Sequence, residues 1–407
     1  MPFPKIPIRL RNRTLIGLLA GLTVMAFPAY WISAQNPAGL DFPGLDRLPV
    51  IRELPDPFLM NDGKRVSSKA AWTKRRKEIK AMLLYYQYGH PAPGVGVTAE
   101  ETSSAKLEAS GATEKQLRLS IGPEKKVAYR LILTVPSGKG PFPVIVKGDL
   151  CWGRIATAMI EDAIKRGYVV AEFDRTEVAP DNADRTKGVH ALYPKYDWST
   201  TAAWAWGYHR TVDYLLKQKF IDRKRIAITG HSRGGKATLL AGALDERIAL
   251  TAPNGSGCGG AGCYRVLGPQ SEDIAAILSR FPYWFHPRFK DFVGHVDQMP
   301  FDQHFLRALV APRALLSTEA LGDLWANPSG TQVSYLAARQ VFAYLGAANR
   351  IGIHFREGKH EQNAEDWKAL LEFADFQFFN KKVETQFNKL AFAEEPGAFS
   401  WSAPKVK

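Results

Sequence analysis

The stretch that most restricts what this chain can fold into runs from 225 to 240. There an apolar run, Arg225-Ile226-Ala227-Ile228-Thr229, meets Gly230-His231-Ser232-Arg233-Gly234 and continues into Gly235-Lys236-Ala237-Thr238-Leu239-Leu240. The first run reads as a buried strand and the last as a helix. Between them stands a complete G-x-S-x-G. Glycines two positions either side of a serine remove the Cβ atoms that would clash in a tight strand-to-helix turn, and such a turn lifts the hydroxyl above the sheet edge. It also sets the serine at the positive end of the following helix, with the Arg233 backbone N–H placed to bind a developing oxyanion. The motif alone is weak, because glycine turns before helices are common. In its strand–turn–helix context it makes Ser232 the candidate nucleophile.

Beyond residue 120 the chain alternates apolar strand patterns (127–135, 142–147, 168–173, 225–229, 249–252, 314–318 and 351–355) with helical ones (156–165, 200–217, 236–244, 330–345 and 363–379). Strands separated by helices of this length imply a mostly parallel sheet with helices on both faces, an α/β three-layer sandwich. No repeat or linker divides it, so we place one catalytic domain at 111–385. Ahead of it, 35–110 combines a Pro- and Gly-rich lead-in with an amphipathic helix over 67–88, and 386–407 is a tail.

A nucleophilic serine needs a base, and this fold arranges serine, acid and histidine in that chain order. His360 lies in the glycine-bearing loop 356–362, between the last strand and the final helix, and is the candidate base. His354 belongs to the strand itself. His286, His295 and His304 fall in the long insertion after Cys263, where surface or core roles are expected. The acid is expected in the loop after strand 314–318, to orient the imidazole and stabilise its cation. Asp323, deep in the turn after Gly322, is preferred; Glu319 at the strand's edge is the alternative acid, and helix capping near Gly330 is the non-catalytic reading. His231, beside the nucleophile, is read as a packing residue rather than a second base.

The N-terminus carries Lys5, Arg9, Arg11 and Arg13, then an apolar run over 14–27 and a small-residue exit at Ile32-Ser33-Ala34. This pattern over 1–34 reads as a signal peptide, with an uncleaved membrane anchor as the alternative; in both cases the body is exported, periplasmic or secreted. A hydrophobic fraction of 45% and a charged fraction of 23% exclude a mainly disordered chain. The net charge of +14 suits anionic partners without choosing among them. Three cysteines exclude a disulfide scaffold and a structural zinc site; Cys258 and Cys263 are either bonded to each other or free buried thiols. No phosphate loop, dinucleotide fingerprint, metal-ligand cluster or nucleic-acid-binding motif is present, so we expect no cofactor, no metal and no nucleic-acid partner.

With Gly230-His-Ser-Arg-Gly-Gly-Lys236, Pro253-Asn-Gly-Ser-Gly-Cys-Gly-Gly-Ala-Gly-Cys-Tyr-Arg265 and Ala311-Pro-Arg313 in view, the chain resembles the glucuronoyl esterases. These are serine carbohydrate esterases of the α/β-hydrolase fold, acting on esters between lignin alcohols and (4-O-methyl-)glucuronic acid on xylan. The likeness runs from Leu54-Pro-Asp-Pro-Phe58 to His360. It implies that the Arg233 guanidinium joins the oxyanion hole, that Lys236 binds sugar hydroxyls and that Trp325 contacts the uronate ring. It also implies a plant cell-wall uronate ester as partner and a monomer that meets no membrane beyond the possible anchor. Three positions depart from the fungal members. Gly255 stands where they carry a catalytic Glu, which favours Asp323. His231 and Glu361 replace their disulfide between serine turn and histidine loop. Phe281 replaces a glutamate before the Trp-Phe pair.

Two rival readings are separable by assay. An acetyl-xylan or other carboxylic esterase would share this scaffold. A non-catalytic binder of acidic glycans would show no ester hydrolysis.

Overall fold

The computed structural model describes residues 42–122 and 126–405; the expected signal segment lies outside the described residues. The sheet starts at an edge that sequence patterning did not reveal. β1 (Val97–Lys106) and β2 (Thr113–Ile121) form an antiparallel hairpin, and β2 pairs antiparallel with β3 (Val127–Val135). β1 buries Val97 alone, so it has no hydrophobic alternation, and its charged side chains suit an open edge. β3 does alternate, with Val127, Tyr129, Leu131 and Leu133 buried.

The remaining strands are β4 (Phe142–Lys147), β5 (Val169–Phe173), β6 (Ile221–His231), β7 (Leu250–Asn254), β8 (Ala314–Ala320) and β9 (Ile351–Arg356). Their order is β1-β2-β3-β5-β4-β6-β7-β8-β9. β3 meets β5 antiparallel, and every pairing from β5 across to β9 is parallel. Strands such as β5 and β8 are buried along their whole length, which is why they read as continuous apolar runs.

The helices are α1 (Lys69–Leu83), α2 (Thr157–Lys165), α3 (Arg175–Val178), α4 (Gly188–Leu192), α5 (Thr200–Leu215), α6 (Arg233–Leu244), α7 (Ile274–Arg280), α8 (Gln303–Ala308), α9 (Pro328–Tyr344) and α10 (Ala364–Phe379). Ile160 and Ile164 of α2 and Trp367 and Leu370 of α10 pack on Ile145, Val170, Ala227 and Leu316 from one face of the sheet. The opposite face, with Val144, Val146, Ile226, Ile228 and Leu315, packs on α5, α6, α8 and α9. This is the expected α/β-hydrolase sandwich. Each fully buried aliphatic side chain contributes roughly 1.5–3 kcal/mol relative to exposure.

Two sets of contacts cross the boundaries read from the sequence. The division between 110 and 111 falls in the β1–β2 hairpin, so the lead-in supplies the edge strand of the catalytic sheet. The tail is fastened to the lead-in, because the Trp401 indole N–H donates to Leu54 O at 2.6 Å and Ser400 N–H donates to Glu53. The helix expected over 67–88 is α1, capped by the Ser68 hydroxyl, followed by a π turn at Leu84–Tyr88. Among the described residues no helix is long and apolar enough to cross a membrane.

Candidate active site

β6 ends at His231 and α6 begins at Arg233, so the whole turn is made at Ser232. Ser232 pays for this with φ 54° and ψ −122°, a conformation that L-residues rarely adopt and that costs on the order of 1–3 kcal/mol. The close approach explains the two flanking glycines. A Cβ at Gly230 would lie 2.6 Å from Gly234 O, and one at Gly234 would strike the Asp149 carboxylate. The turn is fixed on both sides: Ser232 N–H donates to Asn254 O on β7 at 3.0 Å, and His231 N–H donates to the Asp149 carboxylate at 2.8 Å.

The other two triad candidates reach Ser232 from the ends of β8 and β9. Leu321 N–H donates to Arg356 O and Gly322 N–H to Gly358 O, tying the loop after β8 to the histidine loop. Arg356 holds the histidine loop from within, donating to Glu357 O, Glu361 O and the Asp366 carboxylate. The result is a line of hydrogen bonds. His360 Nε2 lies 2.9 Å from Ser232 Oγ, and His360 Nδ1 lies 2.6 Å from Asp323 Oδ2. The Asp323 side chain is buried while that of His360 is 43% exposed, so the imidazole is open to a ligand and the carboxylate is not.

Glu319 does not join this line. It is wholly buried, and neither carboxylate oxygen has a hydrogen-bond partner among the described residues. Burial, and next the Asp323 charge, push its acid well above the ordinary glutamate range. His231 packs beside His360 instead, with ring centroids 4.5 Å apart and the rings tilted by 46°, and its Nδ1 lies 2.6 Å from Asn254 Oδ1. Burial, and next the charge of His360, lower its pKa to about 4, so it is neutral at pH 7 and sets no second cation against a His360 imidazolium. It packs, as expected.

Arg233 lies on the other flank. Its Nη1 donates to Asp181 Oδ2 at 2.7 Å, and its guanidinium stands 4.5 Å from the Trp284 ring centroid and 4.9 Å from that of Phe281. Those two rings are stacked at 3.9 Å, and Asp181 also accepts from Trp284 Nε1 and Tyr283 OH. The cation is therefore fixed by one carboxylate and an aromatic wall. Lys236 is buried: its Nζ donates to Ser256 O and Cys258 O, both at 2.6 Å, and lies 3.9 Å from Glu272. Two of three ammonium hydrogens are thus engaged, leaving one direction for a ligand or for Glu272. Burial lowers its pKa and Glu272 opposes the shift. Trp325 is 40% exposed, with Arg280 over its ring at 4.9 Å, and its carbonyl accepts from Glu272 N–H.

Asp149, Asp181 and Glu272 are members of this neighbourhood that sequence reasoning missed. Asp181 meets Arg233 across 52 residues and Asp149 meets His231 across 82, and loop aspartates carry no local mark of such partners. The position of Asp149, just after the end of β4 in Gly148-Asp149-Leu150, was the one available hint. Cys258 and Cys263 are free buried thiols, which settles the open pairing against a bond. His286, His304 and His354 have structural partners in Asp197, Pro55 O and Glu365. Among the described residues no group of three or more His, Cys, Asp or Glu is arranged to hold a metal.

The family described as "Glucuronyl esterase, fungi" matches residues 121–346, more than half of the chain. "Carbohydrate esterase MZ0003" from an unknown prokaryotic organism is 33% identical, over 79% of this chain and 89% of that protein. The "4-O-methyl-glucuronoyl methylesterase 1" of Phanerochaete chrysosporium is 34% identical, over 81% of this chain and 69% of that protein. Among solved structures, a carbohydrate esterase family 15 glucuronoyl esterase from Caldicellulosiruptor kristjansonii is similar with a TM-score of 0.77 and 32% identity. That match covers 88% of this chain and 99% of the other.

Proposed function

We propose that this chain, which belongs to the glucuronoyl esterase family, is an exported esterase that hydrolyses esters of (4-O-methyl-)glucuronic acid on glucuronoxylan, including those to lignin alcohols. That it is a carboxylic ester hydrolase follows from the family. The mechanism and the substrate are our reading, and the line Ser232–His360–Asp323 carries it. His360 Nε2 accepts the Ser232 proton as Oγ attacks the ester carbonyl, and Asp323 stabilises the imidazolium formed. The tetrahedral oxyanion meets the Arg233 backbone N–H and guanidinium. As it collapses, the C–O bond to the alcohol breaks, and His360 returns the proton to the departing oxygen. Water then attacks the acyl-enzyme by the same route, releasing the uronic acid and restoring Ser232. Lys236 and Trp325 take the sugar ring.

The purified protein should release benzyl alcohol from benzyl glucuronate faster than acetate from acetylated xylan. Acetate release without uronate ester cleavage would make it an acetyl-xylan esterase. Hydrolysis of neither would leave the non-catalytic glycan binder.

Arg233→Ala should lower kcat by ~10²–10³ with little change in KM. An oxyanion donor acts on charge present in the transition state and absent from the ground state. The Asp181 ion pair and the Trp284 face already hold the guanidinium, so little reorganisation is required as the oxyanion forms. Steady-state kinetics on one glucuronate ester decides: a rise in KM alone would make Arg233 a ground-state binding group.

A further inference from the structure

Trp152 has no part in the chemistry described so far, yet it stands beside the nucleophile. It ends a 3₁₀ turn, Leu150–Trp152, just after β4, and is 50% exposed. Isolated exposed apolar side chains are ordinary on protein surfaces. This indole differs in how it is held and in what flanks it. One face rests on the fully buried Arg175 guanidinium, 4.2 Å from its Cζ, and Arg175 Nε and Nη2 have no hydrogen-bond partner among the described residues. Arg175 Nη1 donates to Asp149 Oδ1 at 2.5 Å, and the other Asp149 oxygen accepts the His231 N–H. The indole is thereby coupled through one ion pair to the serine turn. Its ring centroid lies 6.1 Å from that of His231, and the Arg233 Cζ lies 5.8 Å from it, so the residues on both sides of Ser232 border it.

Sheet order supplies the direction. β4 lies on one side of β6, and β7 and β8 lie on the other. Trp325 and Lys236, where we place the uronate, cluster with Glu272 and the loops after β7 and β8. An ester bound at Ser232 with its acyl group there must direct its alcohol toward the β4 side, where Trp152 presents its exposed surface. We propose that Trp152 is a specificity-determining residue forming a leaving-group subsite for alcohols that carry an aromatic ring. This inference rests on the proposed function. An indole held flat offers an offset-stacked or edge-to-face partner to an aryl alcohol, and a methyl ester has no ring to present to it.

The test is the ratio of kcat/KM for benzyl over methyl glucuronate in wild type, Trp152→Ala and Trp152→Phe, each checked by thermal melting. The ratio should fall ~3–10-fold in the alanine variant, and the phenylalanine variant should keep most of it. An unchanged ratio in Trp152→Ala, or an equal fall in both variants, overturns the inference. The same ratio is read on benzyl and methyl acetate, which need no uronate site. Cleavage of acetates without glucuronates overturns the proposed function, while the acetate ratio still decides the role of Trp152. A chain that cleaves none of the four esters overturns both.

Discussion

Ser232→Ala is expected to lower kcat on a glucuronate ester by about 10⁶, the order seen when a triad serine is removed. The size follows from the division of labour at the site. In the proposed mechanism His360 and Asp323 act on the ester only through the Ser232 oxygen, so without it no covalent intermediate would form and the remaining residues would act as a preorganised pocket for water attack. A residual rate above the solution reaction should persist, because the oxyanion donors on the α6 side are untouched. Folding is separable from chemistry here. Alanine, like serine, must occupy φ 54° at position 232, so the substitution relieves no backbone strain. The thermal midpoint should therefore stay close to that of the parent, while Ser232→Gly, which tolerates positive φ, should melt slightly higher. The measurement is ester turnover beside a melting curve. Near-parental hydrolysis by a folded Ser232→Ala protein would remove the covalent mechanism altogether.

How much of this was legible in the sequence depended on how local the signal was. β3 and β4 were expected with the ends observed, because alternation or continuous burial is written along each strand. The serine turn was legible for the same reason, since strand, glycines and helix occupy sixteen consecutive positions. β1 was not, because an edge strand exposed along nearly all of its length shows no hydrophobic period, and β2 buries an alternating set only over Leu117, Leu119 and Ile121. The site divides in the same way. His360 followed from its place after the last strand, whereas the Asp181 clamp on Arg233 and the Asp149 link between His231 and Arg175 join loop aspartates to residues of distant strands and helices. Lys236 was readable as a cation in the motif, but its burial on two carbonyl oxygens depends on the Ser256–Cys258 backbone twenty residues away.

Asp323→Asn is expected to cut kcat by as much as ~10⁴, and Glu319→Gln by far less. Asp323 Oδ2 accepts from His360 Nδ1 at 2.6 Å, which fixes the tautomer that leaves Nε2 free to take the Ser232 proton. An amide at 323 can present its NH₂ to Nδ1, favouring the tautomer with the proton on Nε2, and it has no charge to stabilise the imidazolium. Glu319 has no such contact with the base. Its acid is pushed upward by burial and by Asp323, so the nearly isosteric glutamine replaces a group biased toward its neutral form. The neighbouring turn favours an acid placed after β8. Gly255 has φ +47°, and a Cβ built there lies 3.4 Å from Asp323 Oδ2, so a glutamate at 255 would be strained and would compete for the space Asp323 occupies. Both variants should be measured on one glucuronate ester after each is shown to be folded. Collapse of the Glu319 variant with near-parental turnover in the Asp323 variant would reverse the assignment. Survival of both would mean that the His360–Asp323 hydrogen bond is structural and that the imidazole works without an acid from this loop.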